Sequence, residues 1–414
     1  MVRRALLFAV VLAAVLPAQA AASPSVRYGI QDDAWLEFGP GTLDARLARL
    51  DATGVDLVRV TLDWSAIERT RGKADWSRPD ALVRGLHARG IEPVVTLYGA
   101  PRWANGGRTS NWAPTVGGAW ASFARRTAQR YPFVRRWLIW NEPNQPRWLR
   151  PTSPQVYTQK LLNPAYAAIH AVRRNALVAG GVTAPRGSTG GVSPVRWISG
   201  MRAAGARLDA YAHNPYALNP GESPWSGGCG NCETITMSTL ERLLAHVQRA
   251  WGPKRIWLTE FGYQTNPPDQ FLGVSKATQA RYLAEAALRA YLAPRVDMLV
   301  QYLIQDEPDV GRWQSGLFSS TGSMKPAYAA FRFPLAQRSR KGLTTTIWGQ
   351  IRPRHGRQTY RLQQYRAAAW QWVGGTARTD GAGTFTRVIR AGAGSKLRVW
   401  SPADRTFGAT IVVR

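Results

Sequence analysis

The sequence predicts an α/β fold: a (β/α)8 TIM barrel followed by a small C-terminal β-sandwich. Two observations predict the barrel. Short apolar runs recur along the chain with amphipathic stretches between them, as in strands and helices around a parallel sheet, and eight repeats over roughly three hundred residues match the barrel's usual length. A third observation predicts the sandwich, because after Gly342 the pattern changes to short alternating runs separated by Gly-rich turns.

The eight predicted barrel strands lie, in order, in VRYGIQDD (26–33), VDLVRVTLDWS (55–65), IEPVVTLYGAP (91–101), VRRWLIWNEPN (134–144), LVAGGVTAP (177–185), LDAYAHNPY (208–216), RIWLTEFGY (255–263) and VDMLVQYLIQDE (296–307). Helical periodicity is found in LDARLARLDATG (43–54), ALVRGLHARG (81–90), AWASFARRTAQRY (119–131), YAAIHAVRR (166–174), TLERLLAHVQRAW (239–251) and ATQARYLAEAALRAYLA (277–293). The barrel is therefore predicted over residues 23–337.

The predicted sandwich covers residues 343–414 and follows a basic linker at 338–342. Its short runs, such as TTTIWGQIRP, AWQWVGGT and KLRVWSP, alternate between apolar and polar residues, as half-buried strands do. We expect Trp348, Trp370 and Trp372 to be buried where the sandwich packs on the barrel rather than to bind sugar.

The first residues have the pattern of a secretory signal. A basic start precedes an apolar run that is short for a membrane span, and Ala-x-Ala sequences end near Ala20 or Ala22. Residues 1–22 are therefore predicted to be a cleaved signal peptide and the mature protein to be secreted. An N-terminal membrane anchor is the alternative.

Composition excludes a disordered protein, since 45% of the 414 residues are hydrophobic and 10% are aromatic. The formal net charge is +29 and comes mostly from scattered Arg. No basic run or nucleic-acid motif is present, so nucleic acid is not an expected partner. A solvated basic surface or association with an anionic cell envelope explains the charge. A monomer is expected.

Two cysteines, Cys229 and Cys232, lie close together in the Gly-rich segment SGGCGNCET. In an exported protein such a pair most simply forms a disulfide. A zinc site needs further ligands, and the chain has few His. The sequence therefore predicts a disulfide and neither a metal site nor a cofactor.

Two glutamates stand where predicted barrel strands end: Glu142 in WLIWNEPN and Glu260 in WLTEFGYQT. Chemistry in this barrel takes place at the carboxyl ends of the strands, so both carboxylates can face one cleft. Such a pair suits the hydrolysis of a glycosidic bond. One carboxyl must stay protonated to donate to the leaving oxygen, and the other must be ionised to attack the anomeric carbon.

These motifs carry a resemblance to a known group of enzymes. W-x-x-W-N-E-P-N at the end of the fourth strand and T-E-F-G at the end of the seventh are similar to clan A glycoside hydrolases, close to families 5 and 39. The resemblance covers all eight predicted strands. It implies that Glu142 is the acid/base, that Glu260 is the nucleophile and that the configuration is retained.

The resemblance also implies supporting residues. Asn141 is similar to the clan's residue that bonds the sugar 2-hydroxyl, and Arg59 in VRVTLDW to the Arg that supports the nucleophile. Tyr216 and His213 in HNPY resemble the clan's H-x-Y pattern, in which the Tyr donates to the nucleophile and the His lies in the sugar site. Here one extra residue separates them, so a core histidine is the alternative.

Three tryptophans follow the ends of the third, fourth and eighth strands: Trp103, Trp148 and Trp313. Exposed indoles at these places would stack on sugar rings, and burial in the core is the alternative. The sequence therefore predicts a secreted retaining β-glycosidase that acts on a polysaccharide or oligosaccharide. A non-catalytic carbohydrate-binding or envelope protein on a barrel scaffold is the alternative function.

Overall fold

The computed structural model describes residues 25–353 and 356–414, so the predicted signal peptide lies outside the described residues. Eight parallel strands close into a barrel in chain order. They are β1 Arg27–Gln31, β2 Leu57–Asp63, β3 Glu92–Tyr98, β4 Arg136–Ile139, β5 Leu177–Thr183, β6 Ala210–His213, β7 Arg255–Phe261 and β8 Val296–Tyr302. Each lies within its predicted segment, and the predicted barrel is confirmed.

Helices surround the barrel. They are α1 Asp33–Phe38, α2 Leu43–Thr53, α3 Trp64–Ile67, α4 Ser77–Ala88, α5 Ala119–Arg130, α6 Pro154–Val156, α7 Asn163–Val172, α8 Pro194–Ala203, α9 Leu240–Trp251, α10 Lys276–Leu292 and α11 Pro326–Arg332. A π-helical segment, Tyr157–Leu162, joins α6 to α7, and a 3-10 turn, Met237–Thr239, precedes α9. No helix in the described part of the chain has the length and apolar character needed to cross a membrane.

Strand alternation separates two apolar layers and directs polar groups to the barrel interior. In β2, Leu57 belongs to the inner layer, whereas Val58 and Val60 pack against the helices. Arg59 therefore points into the barrel, where it is fully buried.

Strand β7 carries an irregularity at the point where its carboxylate lies. Trp257 belongs to the inner layer, while Leu258 and Phe261 both pack in the outer layer. Two residues separate Leu258 from Phe261, and the pairing with β8 shifts register between them. This bulge allows the consecutive residues Thr259 and Glu260 to face the barrel mouth together.

The C-terminal domain is a sandwich of two antiparallel sheets, as predicted. One sheet has the order β13-β10-β9 and the other β12-β11-β14-β15, with β16 beside β14. The strands are β9 Leu335–Lys341, β10 Thr344–Gln350, β11 Thr359–Arg366, β12 Ala369–Arg378, β13 Thr384–Arg390, β14 Lys396–Ser401, β15 Thr406–Phe407 and β16 Ile411–Val412. Their inward faces form one apolar core.

The predicted basic linker at 338–342 is wrong. These residues form most of β9 and a tight turn into β10, with Lys341 paired to Thr344 and Gly342 at φ 58°. The basic side chains are exposed because they lie on the outer part of a hairpin whose first residue, Leu335, is buried.

The sandwich packs on the barrel through its three-stranded sheet. Trp348 of β10 is fully buried and lies 5.3 Å from the Tyr291 ring of α10. The guanidinium of Arg352 lies 3.7 Å from the ring of Tyr28 at the start of β1. Burial at this contact is thus confirmed for Trp348. It is wrong for Trp370 and Trp372 of β12, which lie on the other sheet, where Trp370 is half-buried and Trp372 is 42% exposed.

Candidate active site

The chain leaves β4 through an unusual backbone conformation that places Glu142. Trp140 has φ 70° and Glu142 has φ 37°, in the left-handed region that side chains larger than Gly rarely adopt. The amide of Trp140 donates to the Leu97 carbonyl at 2.8 Å, and that of Glu142 donates to the Val182 carbonyl at 2.9 Å. Hydrogen bonds to the neighbouring strands β3 and β5 therefore stabilise this backbone conformation, which directs Glu142 toward the barrel mouth.

Glu260 lies at the same mouth and is 7% exposed. Its Oε1 accepts a hydrogen bond from Nη1 of Arg59 at 2.7 Å, and its Oε2 accepts one from the hydroxyl of Tyr216 at 3.0 Å. A guanidinium and a phenol both stabilise the ionised carboxylate. The arrangement favours Glu260 as the group that carries negative charge.

Arg59 connects the two strand ends that bear the glutamates. Its Nε donates to Oγ1 of Thr96 at 3.0 Å, and Nη1 also donates to the Thr259 carbonyl at 3.1 Å. Nη2 donates to Oδ1 of Asn141 at 2.7 Å. Because a planar guanidinium has a fixed fork of donors, these contacts set its position against Glu260.

The hydrogen bond from Arg59 positions the side chain of Asn141 and leaves its amide nitrogen free to donate. Its carbonyl oxygen is occupied by Arg59, so the side-chain amide nitrogen points elsewhere. That nitrogen has no hydrogen-bond partner among residues 25–353 and 356–414. Asn141 is half-buried beside Glu142 and can donate to a ligand hydroxyl.

Asn214, which directly follows β6, was not predicted from the sequence. It is fully buried, and its Nδ2 donates to Oε1 of Glu142 at 3.0 Å. The hydroxyl of Thr259 donates to Oδ1 of Asn214 at 2.8 Å, which orients the amide. The HNPY segment contained the signal, since Asn214 is one of two residues between His213 and Tyr216, where the H-x-Y pattern has a single residue.

The surroundings of Glu142 and Glu260 affect the pKa values of the two carboxyl groups differently. Burial, followed by the nearby charge of Glu260, raises the pKa of Glu142 to about 7, while hydrogen bonds from Asn214 and Trp148 oppose the shift. Burial also raises the pKa of Glu260, but Arg59 and Tyr216 both lower it. The side chains that donate hydrogen bonds to Glu142, Asn214 and Trp148, are neutral. Glu142 is therefore better suited than Glu260 to hold a proton and to give it to a leaving group.

A cleft of about 770 Å³ opens above the two glutamates. Aromatic side chains form part of its lining: Trp148, Tyr216, Tyr263, Tyr302 and Trp313. The ring of Trp313 lies 4.9 Å from that of Tyr216 and 5.5 Å from that of Tyr302. Two of the predicted tryptophans, Trp148 and Trp313, therefore lie in the cleft and are half-buried.

Two predicted substrate-binding residues lie elsewhere. Trp103 is not among the residues that line the cleft; its indole donates to the Glu68 carbonyl at 2.8 Å and packs edge-on against Trp64. His213 is fully buried. Its Nε2 donates to the Ile235 carbonyl at 3.0 Å, and its Nδ1 lies 2.8 Å from Oγ1 of Thr183.

His213 is therefore a core residue, which is the alternative that the sequence left open. Burial lowers its pKa to about 4, so the ring is neutral at neutral pH. Both ring nitrogens are occupied by protein groups, which leaves none for a ligand.

The cysteines form the predicted disulfide in the loop after β6. The same loop is held by other contacts: Nη1 of Arg242 donates to the carbonyls of Cys229 at 2.9 Å and Thr234 at 3.1 Å. Ala217, Leu218 and Asn219 of this loop line the cleft, whereas Cys229 and Cys232 are not among its lining residues. Among the described residues, no three His, Cys, Asp or Glu side chains are grouped to hold a metal ion.

Comparison with solved structures shows which proteins have a similar fold. A family 39 glycoside hydrolase from Bacteroides cellulosilyticus WH2 superimposes with a TM-score of 0.62 at 17% identity, over 89% of this chain and 81% of that one. A monomeric β-xylosidase from Caulobacter crescentus CB15 gives 0.61 at 15% identity, over 90% and 96%. The chain has the fold of the clan A glycoside hydrolases. The resemblance is thus confirmed for the fold.

A member of family 5 is also similar: GH5_18 from Streptomyces cattleya, in complex with GlcNAc, has a TM-score of 0.56 and 19% identity over 74% of this chain and 79% of that one. No protein-family model matches the chain, and no curated protein is significantly similar to it in sequence. At these identities the clan A likeness concerns the fold, and the chemistry must be argued from the site.

Proposed function

We propose that the protein is a retaining β-glycosidase that hydrolyses a polysaccharide or oligosaccharide by double displacement. One observation carries the proposal: two carboxyl groups share a cleft, and their partners differ. Glu260 accepts from a guanidinium and a phenol, whereas Glu142 accepts from neutral groups and has a pKa raised to about 7. This is the division of roles that retaining hydrolysis requires.

In the first step Glu260 attacks the anomeric carbon while Glu142 donates its proton to the leaving oxygen. The anomeric bond to oxygen breaks and a covalent glycosyl ester forms on Glu260. In the second step Glu142, now ionised, takes a proton from water, which attacks the same carbon and releases Glu260. The negative charge on Glu260 disappears in the intermediate, which lowers the pKa of Glu142 and suits it to act as a base.

The surrounding residues support these steps. Arg59 and Tyr216 favour the ionised form of Glu260 and align it, and Asn141 offers a donor to a sugar hydroxyl beside it. The indoles of Trp148 and Trp313 border the cleft, where they would stack on sugar rings.

Secretion also belongs to the proposal, supported by the signal sequence with cleavage near Ala20 or Ala22. The net charge of +29 supports association with an anionic cell envelope. We further propose that the enzyme is a monomer, as the Caulobacter β-xylosidase is described to be. Analysis of culture medium and cell-wall fractions, with light scattering of the purified protein, tests these points.

The test of mechanism is chemical rescue. A panel of β-linked glycans and activated aryl β-glycosides first identifies a substrate. Glu142→Ala should keep formation of the glycosyl-enzyme with an activated aryl substrate but slow its hydrolysis, and added azide should yield a β-glycosyl azide. Glu260→Ala should lose turnover of every substrate, because no covalent intermediate can form.

Glu233→Ala, which removes an exposed carboxylate paired with Arg196, is the control and should behave as the wild type. An α-glycosyl azide from Glu142→Ala would refute the assignment of roles. A wild-type protein that binds glycans but cleaves none of the panel would favour the non-catalytic alternative.

A further inference from the structure

The outer face of the larger sandwich sheet carries a continuous strip of aromatic and basic side chains. We call it the aromatic-basic strip, formed by Tyr365, Trp370, Arg398, Phe407, Trp372 and Arg361. It results from strand alternation: Leu362 of β11 and Leu397 and Val399 of β14 fill the core, so their neighbours face outward.

The members of the strip touch one another across strands. The guanidinium of Arg398 lies 4.1 Å from the Trp370 ring and 3.7 Å from the Phe407 ring. The Phe407 ring is stacked 6.4 Å from that of Trp372, and the guanidinium of Arg361 lies 3.7 Å from the Trp372 ring. The side chains therefore form one surface rather than separate groups.

This surface is not the contact with the barrel, which uses the other sheet and Trp348. Trp372 is 42% exposed and Tyr365 is 40% exposed. Large exposed aromatic rings cost solubility, and a group of them on one face is the pattern of a binding surface.

The charge on this face is of one sign. Strands β11, β12 and β14 contain basic residues but no Asp or Glu: Arg361, Arg366, Arg378, Lys396 and Arg398. The guanidinium of Arg361 has no hydrogen bond or ion pair within the described ranges, and its Nε is buried without a partner. A half-buried guanidinium that has no protein partner in the described part of the chain and lies beside an exposed indole can pair with an anionic oxygen.

We propose that the aromatic-basic strip is a binding site, separate from the catalytic cleft, for an anionic polysaccharide of the uronic acid class. Indole and phenol rings stack on the C–H faces of pyranose rings, and Arg361 pairs with a carboxylate. Arg398, whose Nε and Nη2 donate to Oε1 of Gln363, adds positive charge to the same face. Single-stranded nucleic acid also stacks on aromatic rings. The glycan is favoured because the same chain has the fold of glycoside hydrolases and a carboxylate pair in its cleft.

The test compares polygalacturonate with its methyl ester, which has the same sugar but no charge. Affinity is measured with the full-length protein, alongside single-stranded DNA and vesicles containing phosphatidylserine. We expect polygalacturonate to bind more tightly than the other three, with an affinity that falls as salt rises. Trp372→Ala and Arg361→Ala should each weaken it about tenfold.

Arg338→Ala is the control, because it removes an exposed arginine of the other sheet and should leave the affinity unchanged. Turnover of a small aryl glycoside by Trp372→Ala should equal that of the wild type, which separates this site from the cleft. Melting temperatures verify that the variants fold.

Three results would overturn the proposal: an absence of polygalacturonate binding, equal losses in Arg338→Ala and Arg361→Ala, or tighter binding of DNA or vesicles. Equal affinity for the methyl ester would also overturn it, since the charge would then play no part.

Discussion

Oε1 of Glu142 accepts a hydrogen bond from the side-chain amide of Asn214 at 3.0 Å, while Oε1 of Glu260 accepts one from the guanidinium of Arg59 at 2.7 Å. A neutral donor on one carboxylate and a charged donor on the other make the two groups chemically different. The charged donor stabilises the ionised form more strongly. The difference supports the proposed roles, in which Glu142 holds the proton and Glu260 carries the negative charge.

The first prediction concerns pH. Because the pKa of Glu142 is raised to about 7, the group is protonated below that pH and loses its proton above it. We expect kcat/KM on an unactivated glycan to fall as pH rises through about 7, since the leaving oxygen then lacks a proton donor. For Glu142→Ala acting on an activated aryl glycoside, this alkaline decline should be absent from the rate of intermediate formation. If the decline at high pH persists unchanged in that variant, the titrating group is a residue other than Glu142.

Asn214 provides a second prediction. Its hydrogen bond lowers the pKa of Glu142, so Asn214→Ala should raise that pKa and move the alkaline decline of activity to higher pH. Asn219→Ala is the comparison, because Asn219 also lines the cleft but its side-chain oxygen accepts from the Gly221 amide, and no hydrogen bond joins it to Glu142 in the described part of the chain. A pH profile that moves downward, or that moves equally in both variants, would contradict the role given to Asn214.

The third prediction is that activity is sensitive even to a conservative substitution of Arg59. Arg59→Lys retains the charge but loses the planar fork that contacts Asn141, Thr96 and Glu260 together. We expect kcat to fall by about 10²- to 10³-fold, the usual cost of losing one aligned donor at a reacting group. The melting temperature and circular dichroism must show that the variant folds. Activity near the wild-type value in a folded Arg59→Lys protein would show that the fork is dispensable.

The fourth prediction concerns the loop after β6. A disulfide between Cys229 and Cys232 closes a very short loop, so Cys229→Ala should cost well under ~3 kcal/mol of unfolding free energy. Arg242→Ala should cost more, because Arg242 donates to several carbonyls of the loop. Denaturant unfolding of both variants measures the difference. Loss of the fold in Cys229→Ala would contradict this ranking.

The site could be predicted only in part, and the reasons differ by residue. Glu142 and Glu260 were found because a carboxylate that ends an apolar strand stands out in a sequence. Asn214 was missed because a polar residue after a strand is ordinary in a turn. Trp103 was placed in the cleft by its position after a strand end, and His213 by the resemblance of HNPY to the H-x-Y pattern. Sequence position does not determine which way a side chain points where strand alternation ends.

The sequence by itself determined the barrel, its eight strands and the following sandwich, because alternation and helical periodicity are local properties that each segment carries alone. It also determined which end of the barrel bears the carboxylates. Only the tertiary structure decided how those carboxylates differ, since their donors come from β2 and from the residues after β6, far apart in the chain. Hydrogen bonds and burial depend on residues that are distant in the chain. They control the pKa of Glu142, and they also hold His213 in the core.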